Sequence, residues 1–154
     1  MMKLSKKTPH LIVAFCLIII LTGIAHAKTE SITVEPGKEF TRTIELTAGD
    51  KTSITFTVLG PSPSTIHFYM VLPNGTKSDQ GEISQCSISF FTDAKGTCQL
   101  HFDNSNASEA QLVTLNYDVE HYIFGLPQVL FLLLATAVLL LFVVTGYIIM
   151  GKYG

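Results

Sequence analysis

The run from Leu126 to Met150 holds no charged residue, and only Pro127, Gln128, Thr136, Thr145 and Gly146 interrupt its apolar character. At 1.5 Å of rise per residue it reaches roughly 35 Å, enough to cross a hydrocarbon core of about 30 Å. A lone strand cannot satisfy its backbone in lipid, and a core helix of a soluble domain would be shorter and carry a polar face. The sequence therefore predicts one transmembrane helix over 126–150, followed by a tail of four residues, 151–154. Tyr122 and Phe124 at one end and Tyr147 and Tyr153 at the other read as interfacial aromatic belts.

A second apolar block opens the chain. Lys3, Lys6 and Lys7 precede an apolar stretch from Leu11 to Leu21, which ends in the small-x-small sequence Ala25-His26-Ala27. This is the pattern of a secretory signal over residues 1–27, cleaved after Ala27. An uncleaved anchor would make a second span; the short apolar stretch and the Ala-x-Ala end favour cleavage. A lipid anchor replacing the C-terminal block is the other alternative. It would need cleavage near Asn106-Ala107-Ser108, which removes the last strand, and Lys152 follows the apolar run.

The two blocks explain a chain that is 47% hydrophobic and only 14% charged. Between them, residues 28–122 suffice for one small domain. Up to residue 125 this middle part carries six cations (Lys28, Lys38, Arg42, Lys51, Lys77 and Lys95) against all twelve carboxylates, a formal charge of −6. Such a surface suits neither nucleic acid nor anionic lipid headgroups. Lys152 after the span favours a cytoplasmic C-terminus, hence a single-pass type I protein with its middle domain in a lumen or outside the cell. Two sequons, at Asn74-Gly75-Thr76 and Asn106-Ala107-Ser108, make Asn74 and Asn106 candidate glycosylation sites on that side.

The middle domain reads as short alternating runs cut by turns, with no helical period. Ile32 and Val34 open it. Phe40, Ile44 and Leu46 then alternate with Thr41, Thr43 and Glu45, and Ile54, Phe56 and Val58 alternate with Ser53, Thr55 and Thr57. Ile66, Phe68, Met70 and Leu72 share a face opposite His67, Tyr69 and Val71. After Pro73-Asn74-Gly75 and a less regular stretch, 77–82, come Cys86, Ile88 and Phe90, then Cys98, Leu100 and Phe102. Val113, Leu115, Tyr117 and Val119 point inward from the last strand. Seven or eight strands at this spacing predict an all-β, antiparallel β-sandwich.

Cys86 and Cys98, the pair left after Cys16 departs with the signal, are expected to be bonded in an oxidising compartment. A hairpin turning at 93–96 would set Cys98 against Phe91 and Cys86 against Asp103, too far apart for a disulfide. The expectation is that their strands belong to opposite sheets and that the bond crosses the core, worth about 3 kcal/mol in the chain-entropy account.

The stretch Gly96-Thr97-Cys98-Gln99-Leu100-His101-Phe102-Asp103-Asn104-Ser105, followed by Leu112 to Val119, resembles the C-terminal half of a GOLD domain. Ala48-Gly49-Asp50 before Ile54-Thr55-Phe56, and Ile66 to Val71 before Pro73-Asn74-Gly75, fit the same family over most of residues 35–120. The resemblance implies a GOLD-like sandwich of jelly-roll type and, by its membrane members, cargo binding in vesicular transport of the early secretory pathway. Three departures weigh against a straight transfer. Cys98 stands where the family's Gly-x-Tyr tyrosine would be, so no disulfide placement is carried over. No coiled coil separates His121 from the span, and the tail lacks an aromatic pair and a terminal dilysine. An immunoglobulin fold fits less well, because only eleven residues separate the cysteines and the chain has no tryptophan.

No catalytic, cofactor-binding or metal site is predicted. His67, His101 and Asp103 are the best polar cluster, but their spacing matches no metal pattern and both histidines fall on outward faces. Asp103 and Asn104 read as turn closers, and Ser105 and Ser108 have no base nearby. In the span, Thr136, Thr145 and Gly146 are candidate intramembrane contacts, although Gly146 and Gly151 miss the four-residue spacing of a close-packed dimer. The predicted function is a single-pass membrane glycoprotein whose lumenal domain binds a protein partner or cargo, in endoplasmic reticulum or Golgi membranes. The alternatives are an accessory subunit held through its span, or a plasma-membrane receptor or adhesion ectodomain.

Overall fold

A computed structural model describes residues 27–153. The predicted signal, apart from Ala27, lies outside the described residues. Eight strands build the middle domain: β1 (Lys28–Val34), β2 (Glu39–Leu46), β3 (Lys51–Leu59), β4 (Ile66–Val71), β5 (Lys77–Ile83), β6 (Gln85–Phe91), β7 (Gly96–Asp103) and β8 (Gln111–Glu120). They form two four-stranded sheets in the orders β1-β8-β3-β6 and β2-β7-β4-β5, every pair antiparallel. This is the strand order of an eight-stranded jelly roll, two interleaved Greek keys. The less regular stretch 77–82 proves to be a strand, β5, whose register slips between Phe68 and Tyr69 of its neighbour β4.

The connections fix which strands face each other. Four residues link the edge strands β1 and β2, and Ser84 alone links the edge strands β5 and β6. So β1 lies over β2 and β6 over β5, which sets β8 over β7 and β3 over β4. A part-buried ion pair from Arg42 of β2 to Glu30 of β1, bonded through both Nε and Nη2, joins the first facing pair. At the centre Phe56 of β3 meets Phe68 of β4 edge to face, with ring centroids 4.7 Å apart, and Phe102 of β7 at 5.1 Å. The alternation legible in the sequence is what buries Ile44, Leu46, Ile54, Val58, Ile66, Leu100, Val113 and Leu115 around these rings.

Cys86 and Cys98 do lie in opposite sheets with both side chains toward the interior, but both are free thiols, and the expected bond is not made. The strand order supplies the reason. Cys86 is on the edge strand β6, above β5, whereas Cys98 is on β7, below β8, two strands away across the sandwich. Two strand spacings of about 5 Å and a sheet separation of about 10 Å exceed the reach of a disulfide.

The sandwich ends at Tyr122, and the segment from Ile123 onward forms a separate compact unit. A short hairpin falls at this boundary, pairing the two-residue strands β9 (Tyr122–Ile123) and β10 (Leu126–Pro127). Phe124 (φ 51°) and Gly125 (φ 78°) make the turn, the left-handed pair that a tight two-residue hairpin demands. The C-terminal helix α1 runs Gln128–Tyr153, starting two residues later than the apolar run. Pro127 keeps Leu126 out of the helical region, so the helix can begin only after it. At the other end helical backbone continues through 151–153, the expected tail. The stretch Gln128–Ile149, with a mean hydropathy of 2.8, is long and apolar enough to cross a membrane.

Candidate functional site

The two outer faces of the sandwich differ in chemistry. On the β1-β8-β3-β6 sheet, hydroxyls line up across strands, as in Ser53 beside Ser89 and Thr55 beside Ser87. The β2-β7-β4-β5 sheet instead carries charged and aromatic side chains in cross-strand rows. Thr41, His101, Tyr69 and Asp79 form one row, and Glu39, Asp103, His67 and Glu82 the next.

The first row is held by side-chain bonds. Tyr69 stacks on His101 with ring centroids 4.3 Å apart and planes 7° from parallel. Both rings converge on one carboxylate: the Tyr69 hydroxyl donates to Glu39 Oε1 at 2.8 Å, and His101 Nδ1 lies 2.5 Å from the same oxygen. Facing an acceptor, that Nδ1 carries a proton, while Nε2 is buried without a partner. On the β5 side, the Lys77 ammonium sits 3.8 Å from the Tyr69 ring centroid and 3.4 Å from Asp79 Oδ2, and His67 Nε2 is 3.0 Å from Asp79 Oδ1. The aromatic ring is thus clamped between an imidazole and an ammonium.

These contacts set the protonation states. The hydrogen bond to Glu39, then burial, push the Tyr69 phenol up to about 12, so it stays a donor. The backbone N–H of Gly81 holds Asp79 below the ordinary carboxylate value, with His67 and Lys77 adding to it. The Ser105 hydroxyl and backbone N–H do the same for Asp103.

Of the three polar residues legible in sequence, the structure brings His67 beside Asp103 in register and sets His101 one row away. Among the described residues no three His, Cys, Asp or Glu side chains are grouped to hold a metal ion. Glu39 and Tyr69, which orient His101, do not stand out as site residues in the sequence. The available signal is the outward parity of Tyr69 with His67, but Glu39 is thirty residues from Tyr69 and sixty-two from His101.

The remaining predicted positions fall apart from this row. Asn74 and Asn106 are exposed in turns, and the Asn74 side chain accepts the Thr76 N–H. Asn104 is buried and donates to the Val34 and Glu109 carbonyls, tying the β7–β8 loop to β1. Ser105 caps its turn through Asp103, and Ser108 lines a pocket beside it. Thr136 and Thr145 each donate to the carbonyl four residues back, Leu132 and Leu141, at 2.6 and 2.7 Å, and a Cβ on Gly146 would meet nothing among the described residues. Burial pushes both thiols up, Cys98 to about 11, which lowers the thiolate fraction of each at neutral pH.

No protein-family model matches the chain, and no curated protein sequence matches it. Among solved structures it is similar to PliG of Aeromonas hydrophila, a periplasmic inhibitor of g-type lysozyme, at 14% identity and a TM-score of 0.45 over 62% of this chain and 88% of that one. The PliG of Salmonella Typhimurium gives 13% and 0.44, over 61% and 87%. The Yersinia pseudotuberculosis-derived mitogen gives 11% and 0.43, over 65% and 91%. Likeness of this degree says nothing of what this chain binds.

Proposed function

We propose that this chain is a membrane-anchored binding module whose β2-β7-β4-β5 face recognises a protein partner. The observation that carries the reading is the braced row on that face: an oriented tyrosine–histidine stack, fixed by Glu39 and flanked by the carboxylates of Asp79 and Asp103. Rigid aromatics lose little freedom on contact, and of the two carboxylates Asp79 is paired with Lys77 and His67, which leaves Asp103, in no ion pair among the described residues, to favour a basic group of the partner. The GOLD resemblance adds the proposal that the module faces a lumen of the secretory pathway and binds cargo there, as a type I glycoprotein bearing sugars on Asn74 and Asn106.

Proximity labelling in cells from the sandwich of the full chain tests this. Tyr69→Ala and His101→Ala should each remove the main labelled partner, while replacing the span with poly-leucine should retain it. Labelling that survives both alanine changes and vanishes with poly-leucine would reverse the assignment in favour of an accessory subunit held by its span. Glycans kept in high-mannose form are expected from an early secretory location, and complex glycans count against it.

A further inference from the structure

The four edge strands of the sandwich differ in how they are protected. β1 and β2 carry Lys28, Glu30, Glu39, Arg42 and Glu45, with Arg42 and Glu30 paired between them, and β5 carries Lys77, Asp79 and Glu82 beside a register slip. Charges and bulges of this kind keep a sheet edge from pairing with another chain. β6 has none of them. Its residues Gln85-Cys86-Ser87-Ile88-Ser89-Phe90-Phe91 include no charge and no proline, pair in unbroken register with β3, and meet no strand on the other side among the described residues.

Two bonds fix which backbone groups of β6 are open. The Val58 N–H donates to the Ser84 carbonyl at 2.7 Å, and the Thr92 N–H donates to the Asp50 carbonyl at 2.8 Å, one at each end of the β3–β6 ladder. Residues of an antiparallel strand turn their backbone groups alternately to one side and the other. The even-numbered residues of β6 therefore bond to β3, while Gln85, Ser87, Ser89 and Phe91 turn both N–H and C=O to the open edge. Cys86, Ile88 and Phe90 face the interior but stay only half-buried at this rim of the core. The outer face beside the edge is neutral as well: Ser53 and Thr55 of β3 flank Ser89 and Ser87, and Lys51 at the end of the strip is answered by Glu120 at 3.8 Å.

We propose that β6 is a self-pairing edge, along which two copies of the chain join antiparallel about a two-fold axis at Ile88, making one continuous eight-stranded sheet. In this register Gln85 opposes Phe91 of the second copy and Ser87 opposes its Ser89, and each such pair exchanges two backbone hydrogen bonds. No other antiparallel register pairs all four open residues of both copies with one another. The occupant follows from charge. With a formal charge of −6, two middle domains repel over most of their surface, and the uncharged strip at β6 is where they can meet. A foreign strand would need pockets or charges to select it, and the short neutral side chains of Ser87 and Ser89 offer neither. One strand pair is a small interface, so anchoring of both copies in one bilayer through α1 would supply the local concentration that it needs.

Oxidative crosslinking of the full chain in liposomes tests this. In a Cys86→Ala background, with Cys98 fully buried, Ile88→Cys sets a thiol on the axis, its Cα roughly 4.5 Å from that of the second copy and within disulfide range. Copper phenanthroline should convert most of that variant to a covalent dimer, and at least tenfold less of Thr29→Cys, which is exposed on β1. Ser87→Pro removes an open N–H and no bond to β3, and Ser87→Lys with Ser89→Lys sets like charges face to face on exposed side chains. Either change, added to Ile88→Cys, should cut the dimer at least tenfold with the circular dichroism of the sandwich unaltered. Otherwise unaltered chains bearing two different tags should co-purify from one membrane, and the lysine pair should abolish this. Crosslinking of Ile88→Cys no stronger than that of Thr29→Cys, or undiminished in a folded edge variant, overturns the proposal. Loss of a cellular partner in the edge variants without any Ile88→Cys dimer also overturns it, in favour of a foreign strand. The β2-β7-β4-β5 face takes no part, so the result stands apart from the labelling of the Tyr69–His101 row.

Discussion

Asp50 shows how much one buried charge is asked to do. It is 2% exposed, accepts the Thr47 N–H at 2.8 Å to close the β2–β3 turn, and lies 2.8 Å from His121 Nδ1 at the end of β8. Burial alone would raise its pKa, but the Thr47 N–H and His121 outweigh it and the net shift is downward. The folded state therefore binds this proton less readily than the unfolded chain does. Its contribution is complete above the ordinary aspartate value of about 3.9, and is lost as pH falls through the lower folded value. Thermal melts of the sandwich from about pH 7 to about pH 2.5 should show this loss, and Asp50→Asn should flatten it while costing about 1–3 kcal/mol at neutral pH. Asn104→Ala should cost a similar amount in urea unfolding, since it orphans the Val34 and Glu109 carbonyls. The cysteines give a third test. Alkylation after unfolding without reductant, mapped by mass spectrometry, should modify both Cys86 and Cys98, and alkylation of folded protein should spare the fully buried Cys98.

Among the elements, β3 and α1 are the most exposed to test. Phe56 of β3 touches both Phe68 and Phe102, and Phe56→Ala should cost about 3–5 kcal/mol by emptying the centre of the sandwich. In α1 the hydroxyls of Thr136 and Thr145 are already spent on their own helix, so neither needs a neighbour to satisfy its donor. Thr136→Val with Thr145→Val should leave the co-purified partners of the full chain unchanged; losing one would favour a lateral role for the span. The element boundaries that escape a sequence reading do so for two reasons. Pro127 and the Phe124-Gly125 turn are local signals, but an apolar run masks them, and the bulged, charged β5 has no alternation to display.

For the molecule as a whole, the sequence by itself determined the apolar end blocks, the acid excess of the middle domain and its all-β character. Each is a property of neighbouring residues: a run without charge, or apolar side chains on every second position, which buries one face of any strand whatever its partner. Tertiary structure decided which strands pair, and with that everything depending on residues far apart. It set Cys86 and Cys98 two strands apart, where an even pair of cysteines in an oxidising compartment had favoured a bond. It carried Glu39 to His101 and Tyr69, and placed Gly60 against Gln111, where the amide oxygen is left without a partner. The jelly-roll order interleaves strands from the two halves of the chain, so contacts across a sheet face, unlike the alternation along a strand, are not written in local sequence spacing.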